Sequence, residues 1–165
     1  MSFKLGDQLD HLGNPNLAFE MYRSYVEHNK HRFPASVIEV MANANWAGGS
    51  ASNAPYYSDL ESIEINDFGK STASAKLILL KQDYVEKPFT IEIIYKGLFR
   101  FEIPEHNKVS DAALKWRYEQ FLFFDPHHSH GLKDKMFTHQ IEWITGEIWS
   151  ITARDVEIKW LHSPS

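Results

Sequence analysis

Regular alternation of apolar and polar residues through the last third of the chain constrains its fold more than any other feature. Residues 137–144, 147–153 and 156–160 each alternate with a period of two, and short turns separate these runs. This period matches a β-strand that buries one face and exposes the other to water. The last third of the chain is therefore predicted to be a β-meander.

Further strand patterns come before this meander. They occupy residues 60–65, 73–80, 89–95 and 99–103, and turn-forming residues join them. The segment 114–124 is mixed, because the residues around its start favour a helix whereas the aromatic residues that follow favour a strand. We interpret it as a short helical start that leads into a strand.

Two helices are predicted before the strands. Asn14-Pro15 is a helix start, because Asn caps free N–H groups and Pro at the first helical position needs no hydrogen bond. A second start at Phe33-Pro34 precedes an apolar pattern that continues to about Asn45. In the first helix the apolar residues form one stripe, which we expect to cover a core. The stripe consists of Leu17, Ala18, Met21, Tyr22, Tyr25 and Val26.

The order of these elements predicts one α+β domain over residues 1–165. Its helical part spans about 14–46, and its β-rich part spans about 56–161, with a turn-rich segment of small residues between them. The two N-terminal helices are expected to pack on a mostly antiparallel, meander-rich β-sheet of about seven or eight strands. Hydrophobic residues make up 43% of the chain and aromatic residues 14%, which is typical of a packed globule.

Composition narrows the functional class. Cysteine is absent, which excludes disulfides and thiolate metal sites and suits a reducing compartment. We find no signal sequence and no run of about 18 apolar residues, so we expect a cytoplasmic protein without a membrane partner. The net charge of −5 disfavours a nucleic-acid partner, because phosphate binding requires clustered Lys and Arg. We expect a monomer or weak homodimer without a cofactor, although five tryptophans and exposed sheet edges leave a self-associating structural protein open.

A histidine-rich loop contains the densest group of potential metal ligands, namely Asp125, His127, His128 and His130. Zinc binds imidazole and carboxylate groups, but three imidazoles on one turn rarely converge without a further ligand and supporting hydrogen bonds. We favour a polar loop that holds no metal, and we keep a small hydrolase or metal-dependent enzyme as the alternative. His139 alternates with buried residues on the next strand, so we expect a core histidine with satisfied hydrogen bonds.

The segment from Tyr56 to Asp67 is the strongest candidate for a binding surface. It holds two adjacent tyrosines and four carboxylates, and it has no basic residue. Tyrosine supplies contact area at low entropic cost, and acidic groups accelerate the approach of a basic partner. A solvated strand edge whose charges discourage aggregation is an equally simple interpretation. The predicted partner-binding residues are Tyr56, Tyr57, Asp59, Glu61, Glu64, Asp67, Asp83 and Glu86.

Motifs of known enzyme classes are absent from the chain. The sequence has no nucleophile elbow, no phosphate-binding loop, no dinucleotide-binding glycine motif and no zinc-protease helix motif. Because such motifs carry much of the sequence signal for catalysis, their absence lowers the expectation of an enzyme. We therefore predict a protein-binding role with no catalytic residues.

Several short segments resemble those of small bacterial α+β proteins. They are residues 57–63, 93–97, the Tyr-Glu-Gln-Phe segment at 118–121, and residues 139–148. The similar proteins include immunity proteins of polymorphic or contact-dependent toxin systems, and the resemblance covers about residues 56–160. Those proteins usually carry His-Asp where this chain has Ser58-Asp59. The resemblance implies a cytoplasmic binder that blocks a basic toxin domain by direct contact.

Overall fold

The computed structural model describes residues 15–43, 46, 54–83, 85–104, 114–124 and 135–162. Helix α1 spans Pro15–His28 and helix α2 spans Ala35–Ala42, with a 3-10 turn at Lys30–Arg32 between them. Strands then follow one another along the chain. They are β1 Asp59–Asn66, β2 Ser74–Lys81, β3 Phe89–Lys96, β4 Arg100–Glu102, β5 Trp116–Phe124, β6 Met136–Trp143, β7 Ile148–Ala153 and β8 Asp155–His162.

The eight described strands form two antiparallel sheets. Sheet A has the order β1-β2-β3-β8, and sheet B has the order β4-β7-β6-β5. The predicted α+β class and the predicted order of helices before strands are confirmed. The strands divide between two sheets instead of forming the single predicted sheet. The chain passes from sheet A to sheet B between β3 and β4, and it returns to sheet A at Arg154, the single residue between β7 and β8.

The core lies between the two sheets. Alternate residues of β2 and β3 point inward from sheet A, and alternate residues of β6 and β7 point inward from sheet B. Contact between the sheets is direct, because the ring of Tyr95 on β3 lies against Phe137 on β6. The largest fully buried side chains are Phe33, Leu77, Leu79, Ile91, Ile93, Tyr95, Phe121, Phe137, Ile141, Trp143 and Ile151.

The helices lie against β5 and β8, which are the end strands of the two sheets. In α1, the Tyr22 hydroxyl binds the backbone of Phe121, and Tyr25 stacks on Phe123. In α2, the Ser36 hydroxyl donates to Asp155 at 3.1 Å and accepts from the backbone N–H of Val156. The helices therefore cover two strand edges and protect their backbone groups from solvent.

The predicted apolar stripe of α1 is only partly buried. Tyr22 and Val26 are in the core, as expected, whereas Leu17 and Met21 are exposed. These two side chains line an open pocket along α1, together with Tyr25 and His28. Neither of the described helices is long and apolar enough to cross a membrane.

The predicted helical start before β5 is wrong for the residues that the structure describes. Leu114 and Lys115 are extended, and Lys115 forms an isolated antiparallel bridge with Asp59. The Leu60 N–H donates to the Leu114 carbonyl at 2.9 Å. Pairing with β1 therefore outweighs the local helix preference, as tertiary contacts often do. The preceding Ala112 and Ala113 lie outside the described residues.

Candidate functional site

The residues that precede β1 are positioned by pairing with the start of β5. The Tyr57 N–H donates to the Trp116 carbonyl at 2.8 Å, and the Trp116 N–H donates to the Ser58 carbonyl at 2.9 Å. These bonds connect sheet A to sheet B. They also bring Tyr56, Tyr57 and Asp59 next to Lys115.

Lys115 binds two of the predicted site residues at once. Its Nζ lies 2.9 Å from Asp59 Oδ1 and 2.9 Å from Asp83 Oδ2. Gln82 donates to the other oxygen of Asp59, also at 2.9 Å. The hydrogen bonds to Asp59 and Asp83 raise the pKa of Lys115, so the ammonium form is stabilised. A single ammonium group offsets only part of the negative charge of the two aspartates, and the side chain of Asp83 remains 43% exposed.

A second lysine lies beneath the tyrosines. Lys81 is only 2% exposed, and its Nζ donates to the backbone carbonyl of Tyr56. Burial lowers the pKa of Lys81, and the nearby carboxylate of Asp83 offsets part of this effect. Lys81 and Lys115 each also lie over a tyrosine ring, at 6.0 Å from the centroid of Tyr56 and 5.3 Å from that of Tyr57. We call the six residues Tyr56, Tyr57, Asp59, Lys81, Asp83 and Lys115 the corner cluster.

The backbone of the corner cluster is strained. Tyr57 has φ 66°, a left-handed conformation that is uncommon for residues other than glycine. The adjacent Ser58 is fully buried, and its hydroxyl has no hydrogen-bond partner among the described residues. Strained backbone and unsatisfied buried polar groups occur more often at functional sites than elsewhere. This combination marks the corner cluster as the strongest candidate site.

An exposed acidic edge continues from the corner cluster along β1. We define the acidic edge as Glu61, Glu64 and Asp67, all of which are exposed. Glu64 lies 3.8 Å from Lys76, and Asp67 lies 4.0 Å from Lys70, so both ion pairs are long and solvated. In the described part of the chain, β1 pairs along its length only with β2, which leaves its other side as a sheet edge.

The predicted site residues therefore fall into groups. Tyr56, Tyr57, Asp59 and Asp83 belong to the corner cluster, whereas Glu61, Glu64 and Asp67 form the acidic edge. Glu86 is exposed in the connection between β2 and β3, and no described contact joins it to the cluster. The histidine-loop residues Asp125, His127, His128 and His130 lie outside the described residues. Among the residues that are described, no group of three or more His, Asp or Glu side chains could hold a metal ion.

The histidine that was predicted to lie in the core is fully buried, as expected. Nδ1 of His139 lies 2.7 Å from the Tyr95 hydroxyl, and its Nε2 lies 2.7 Å from Glu119 Oε2. The other oxygen of Glu119 accepts from Trp46 Nε1 at 3.1 Å. The ring of His139 also stacks on Phe121. Both imidazole nitrogens are satisfied, so this network links the two sheets inside the core.

Sequence reasoning missed the two lysines of the corner cluster. Lys81 continues the inward-facing series Ala75, Leu77 and Leu79 on β2, so its position on the buried face was a readable signal. Lys115 gave no comparable signal, because its partners Asp59 and Asp83 lie far away along the chain. Only the pairing of β1 with the start of β5 brings these groups together.

Comparison of the chain with models of known protein families and with curated proteins gave no match. The class of this protein is therefore described from its fold and its candidate site alone. It is an α+β protein with two antiparallel sheets, a charged tyrosine cluster where the sheets join, and an exposed acidic strand edge beside that cluster.

Proposed function

We propose that the chain is a protein-binding module, and specifically an immunity protein that neutralises a bacterial toxin by binding it in the cytoplasm. One observation carries this proposal: the corner cluster holds two adjacent tyrosines at the start of an exposed acidic strand edge. The resemblance of residues 56–160 to immunity proteins supports the same role. The partner would be a basic toxin domain, and no nucleic acid, membrane or cofactor would take part.

The tyrosines are suited to act as rigid anchors. The ring centroids of Tyr56 and Tyr57 lie 5.4 Å apart, and 38% of Tyr56 is exposed. Lys81 fixes the backbone beneath Tyr56, and Lys115 lies over the ring of Tyr57. An aromatic side chain that is already ordered loses little conformational entropy when a partner covers it. Such residues carry a large share of the binding energy in protein interfaces.

The acidic edge supplies the charge that favours a basic partner. Lys115 offsets part of the charge of Asp59 and Asp83, so the three exposed residues of the acidic edge, together with the partly exposed Asp83, provide most of the negative charge in this region. Exposed charges of this kind accelerate the encounter of two proteins and set its dependence on salt. The tyrosines then determine how slowly the complex dissociates.

Binding explains the arrangement of the carboxylates better than catalysis does. A general base must reach a substrate proton directly or through one water. Asp59 is buried, and its two oxygens are bound by Lys115 and Gln82. Asp83 is bound by the same lysine. These contacts rigidify the corner cluster, and they leave both oxygens of Asp59 occupied, whereas Asp83 keeps a partly exposed side chain.

Affinity capture with the protein as bait tests the proposal. The sample is a lysate of the organism that encodes the protein, and that organism's secreted toxin domains are added to it. A single basic toxin domain should remain bound through about 0.3 M salt, where exposed-charge attraction is largely screened. Association is then measured for Glu61→Lys/Glu64→Lys, which should slow it about tenfold at low salt. Tyr56→Ala should speed dissociation about tenfold or more.

The matched control is Glu27→Lys/Glu39→Lys. These glutamates are exposed on α1 and α2, and the double substitution changes the net charge by the same amount as the edge variant. The control should associate much faster than the edge variant. If no toxin domain is retained, or if the edge and Tyr56 variants bind as the wild type does, the proposal is wrong.

A further inference from the structure

A cavity of about 350 Å³ lies at the opposite end of β1 from the corner cluster. The turn between β1 and β2, the connection between β3 and β4, the start of β6 and Arg154 surround it. Since β1 has eight residues, about 20 Å of strand separates this cavity from the corner cluster. Its volume falls within the range of small-molecule sites in proteins, about 300–1,000 Å³.

The cavity has an apolar interior and an aromatic rim. Leu98 and Met136 line it and are buried, whereas Phe68 is 66% exposed and Phe99 is 50% exposed. Phe99 is held in place by the ring of Phe124, at 5.8 Å between centroids. Two exposed phenylalanines on neighbouring turns form an apolar patch of the kind that marks binding sites.

The charged groups that line the cavity are cations. Lys70 and Arg154 both line it, and its described lining contains no Asp or Glu. Among the described contacts, the ammonium group of Lys70 forms a long, exposed ion pair with Asp67 at 4.0 Å. The backbone N–H of Arg154 donates to the Lys96 carbonyl at 3.1 Å, which fixes the position of this residue at the sheet junction. A cation at the edge of an apolar cavity favours a ligand with one negative end and one apolar end.

A glycine allows Arg154 to adopt its position. Gly97 has φ +64°, and a Cβ atom built on it would lie 3.0 Å from the Cβ and Cδ atoms of Arg154. A side chain at position 97 would therefore require Arg154 to shift by a few tenths of an ångström. The close approach of Gly97 and Arg154 is a specific feature of this end of the molecule.

We infer that this cavity binds a small carboxylate with an aromatic or branched apolar body. The apolar body would lie between Phe68 and Phe99 above Leu98 and Met136, and the carboxylate would face Arg154 and Lys70. This inference does not depend on the proposed toxin binding, because the cavity lining contains no residue of the corner cluster or of the acidic edge, although Asp67 of the acidic edge lies next to it and pairs with Lys70.

The inference is tested by titrating the whole protein with phenylacetate, 3-phenylpropionate and indole-3-acetate, followed by calorimetry and ligand-observed NMR. At least one of these carboxylates should saturate with a dissociation constant on the order of a millimolar or below, as expected for about ten ligand atoms. The neutral amide of that carboxylate should bind at least tenfold more weakly. Phe99→Ala and Arg154→Gln should each weaken binding about tenfold, and Lys70→Gln should weaken it severalfold.

Two glycine substitutions provide the matched control. Gly97→Ala should weaken binding about tenfold because it displaces Arg154. Gly146→Ala introduces a similar backbone strain at φ +90°, but nothing lies within 4 Å of its added Cβ atom, so binding should change less than twofold. Each variant is first checked for folding by circular dichroism, and Phe99 and Lys70 are exposed enough to be replaced without loss of the fold. The inference is overturned if none of the three carboxylates saturates at about 10 mM, if the amide binds equally well, or if Phe99→Ala binds as the wild type does.

Discussion

Lys115 connects three parts of the chain through a single ammonium group. It precedes β5, and it binds Asp59 at the start of β1 and Asp83 after β2. Asp59 is largely buried, so its charge depends on this partner and on Gln82. Removal of Lys115 would leave the buried carboxylate of Asp59 with only its hydrogen bond from Gln82. This loss destabilises the protein more than the loss of an exposed ion pair does.

We predict that Lys115→Met lowers the free energy of unfolding by about 1–3 kcal/mol near pH 7. Urea unfolding followed by tryptophan fluorescence measures this change. Lys87→Met removes an exposed lysine from the β2–β3 connection and should change stability by less than about 0.5 kcal/mol. Equal unfolding free energies for the two variants would contradict the structural role of Lys115.

At the scale of single residues, the sequence grouped several side chains into one candidate surface, but it did not predict what they contact. Tyr56, Tyr57, Asp59 and Asp83 were placed in one candidate surface, and the structure brings all four together. The partner Lys115 was missed, because its contacts depend on the pairing of distant segments. Local patterns report which face a residue occupies, and they do not report which residue lies opposite it.

Helix α1 and strand β5 are joined by one buried hydroxyl. The Phe121 N–H donates to the Tyr22 hydroxyl, which also lies 3.2 Å from the Phe121 carbonyl. Strand β5 is the end strand of sheet B, so β6 can pair with only one of its two edges. The helix therefore supplies partners for backbone groups that the sheet leaves unpaired.

We predict that Tyr22→Phe destabilises the protein by about 1–3 kcal/mol, because it removes the partner of a buried backbone N–H. Tyr118→Phe, on β5 itself, is the matched control, since this residue is only partly buried and its hydroxyl has no such role in the described contacts. Urea unfolding of both variants tests the difference. A Tyr22→Phe protein as stable as the control would show that the hydroxyl is dispensable.

At the scale of elements, alternation predicted most strands within a few residues, and helix-start signals predicted both helices. The division into two sheets was not predictable in the same way. Strand β3 pairs with the distant β8, and β4 pairs with β7. A period of two indicates that a segment is a strand, but it carries no information about the neighbour of that strand. The helical start before β5 failed for the same reason, because its pairing with β1 is a long-range contact.

Among the described residues, the buried hydroxyls of Tyr22 and Tyr95 respond to alkaline pH in the same direction, and burial also raises the pKa of the half-buried Tyr25. Burial, with a further contribution from Glu119, raises the pKa of Tyr22 and Tyr95 well above the usual value. A raised pKa means that folding favours the neutral phenol. This stabilisation is complete below about pH 10 and is lost as the pH rises further. Lys81 affects the stability in the opposite direction. Its lowered pKa means that burial disfavours the charged form, so this destabilising contribution disappears as the pH rises.

We predict that the unfolding free energy falls steeply above about pH 10, and that Tyr95→Phe flattens this fall by up to about 1.4 kcal/mol per pH unit. The substitution also removes the hydrogen bond to His139, so the slope with pH, rather than the absolute stability, is the quantity to compare. Tyr118→Phe should leave the slope unchanged. Urea unfolding at several alkaline pH values, with tyrosinate absorbance, provides the measurement. An identical slope for Tyr95→Phe and the wild type would refute the prediction.

The passage of the chain from β7 to β8 through Arg154 alone has a consequence for synthesis on the ribosome. Strands β1 to β3 are made early, but their sheet gains its fourth strand only after sheet B has been translated, because β8 follows β7 directly. Helix α2 also waits for β8, since Ser36 binds Asp155 and Val156 there. A nascent chain that stops before β8 therefore exposes the edge of β3 and one side of α2, and these are surfaces that chaperones and proteases recognise. Completion of sheet A thus depends on a single strand that is translated after all the other described strands.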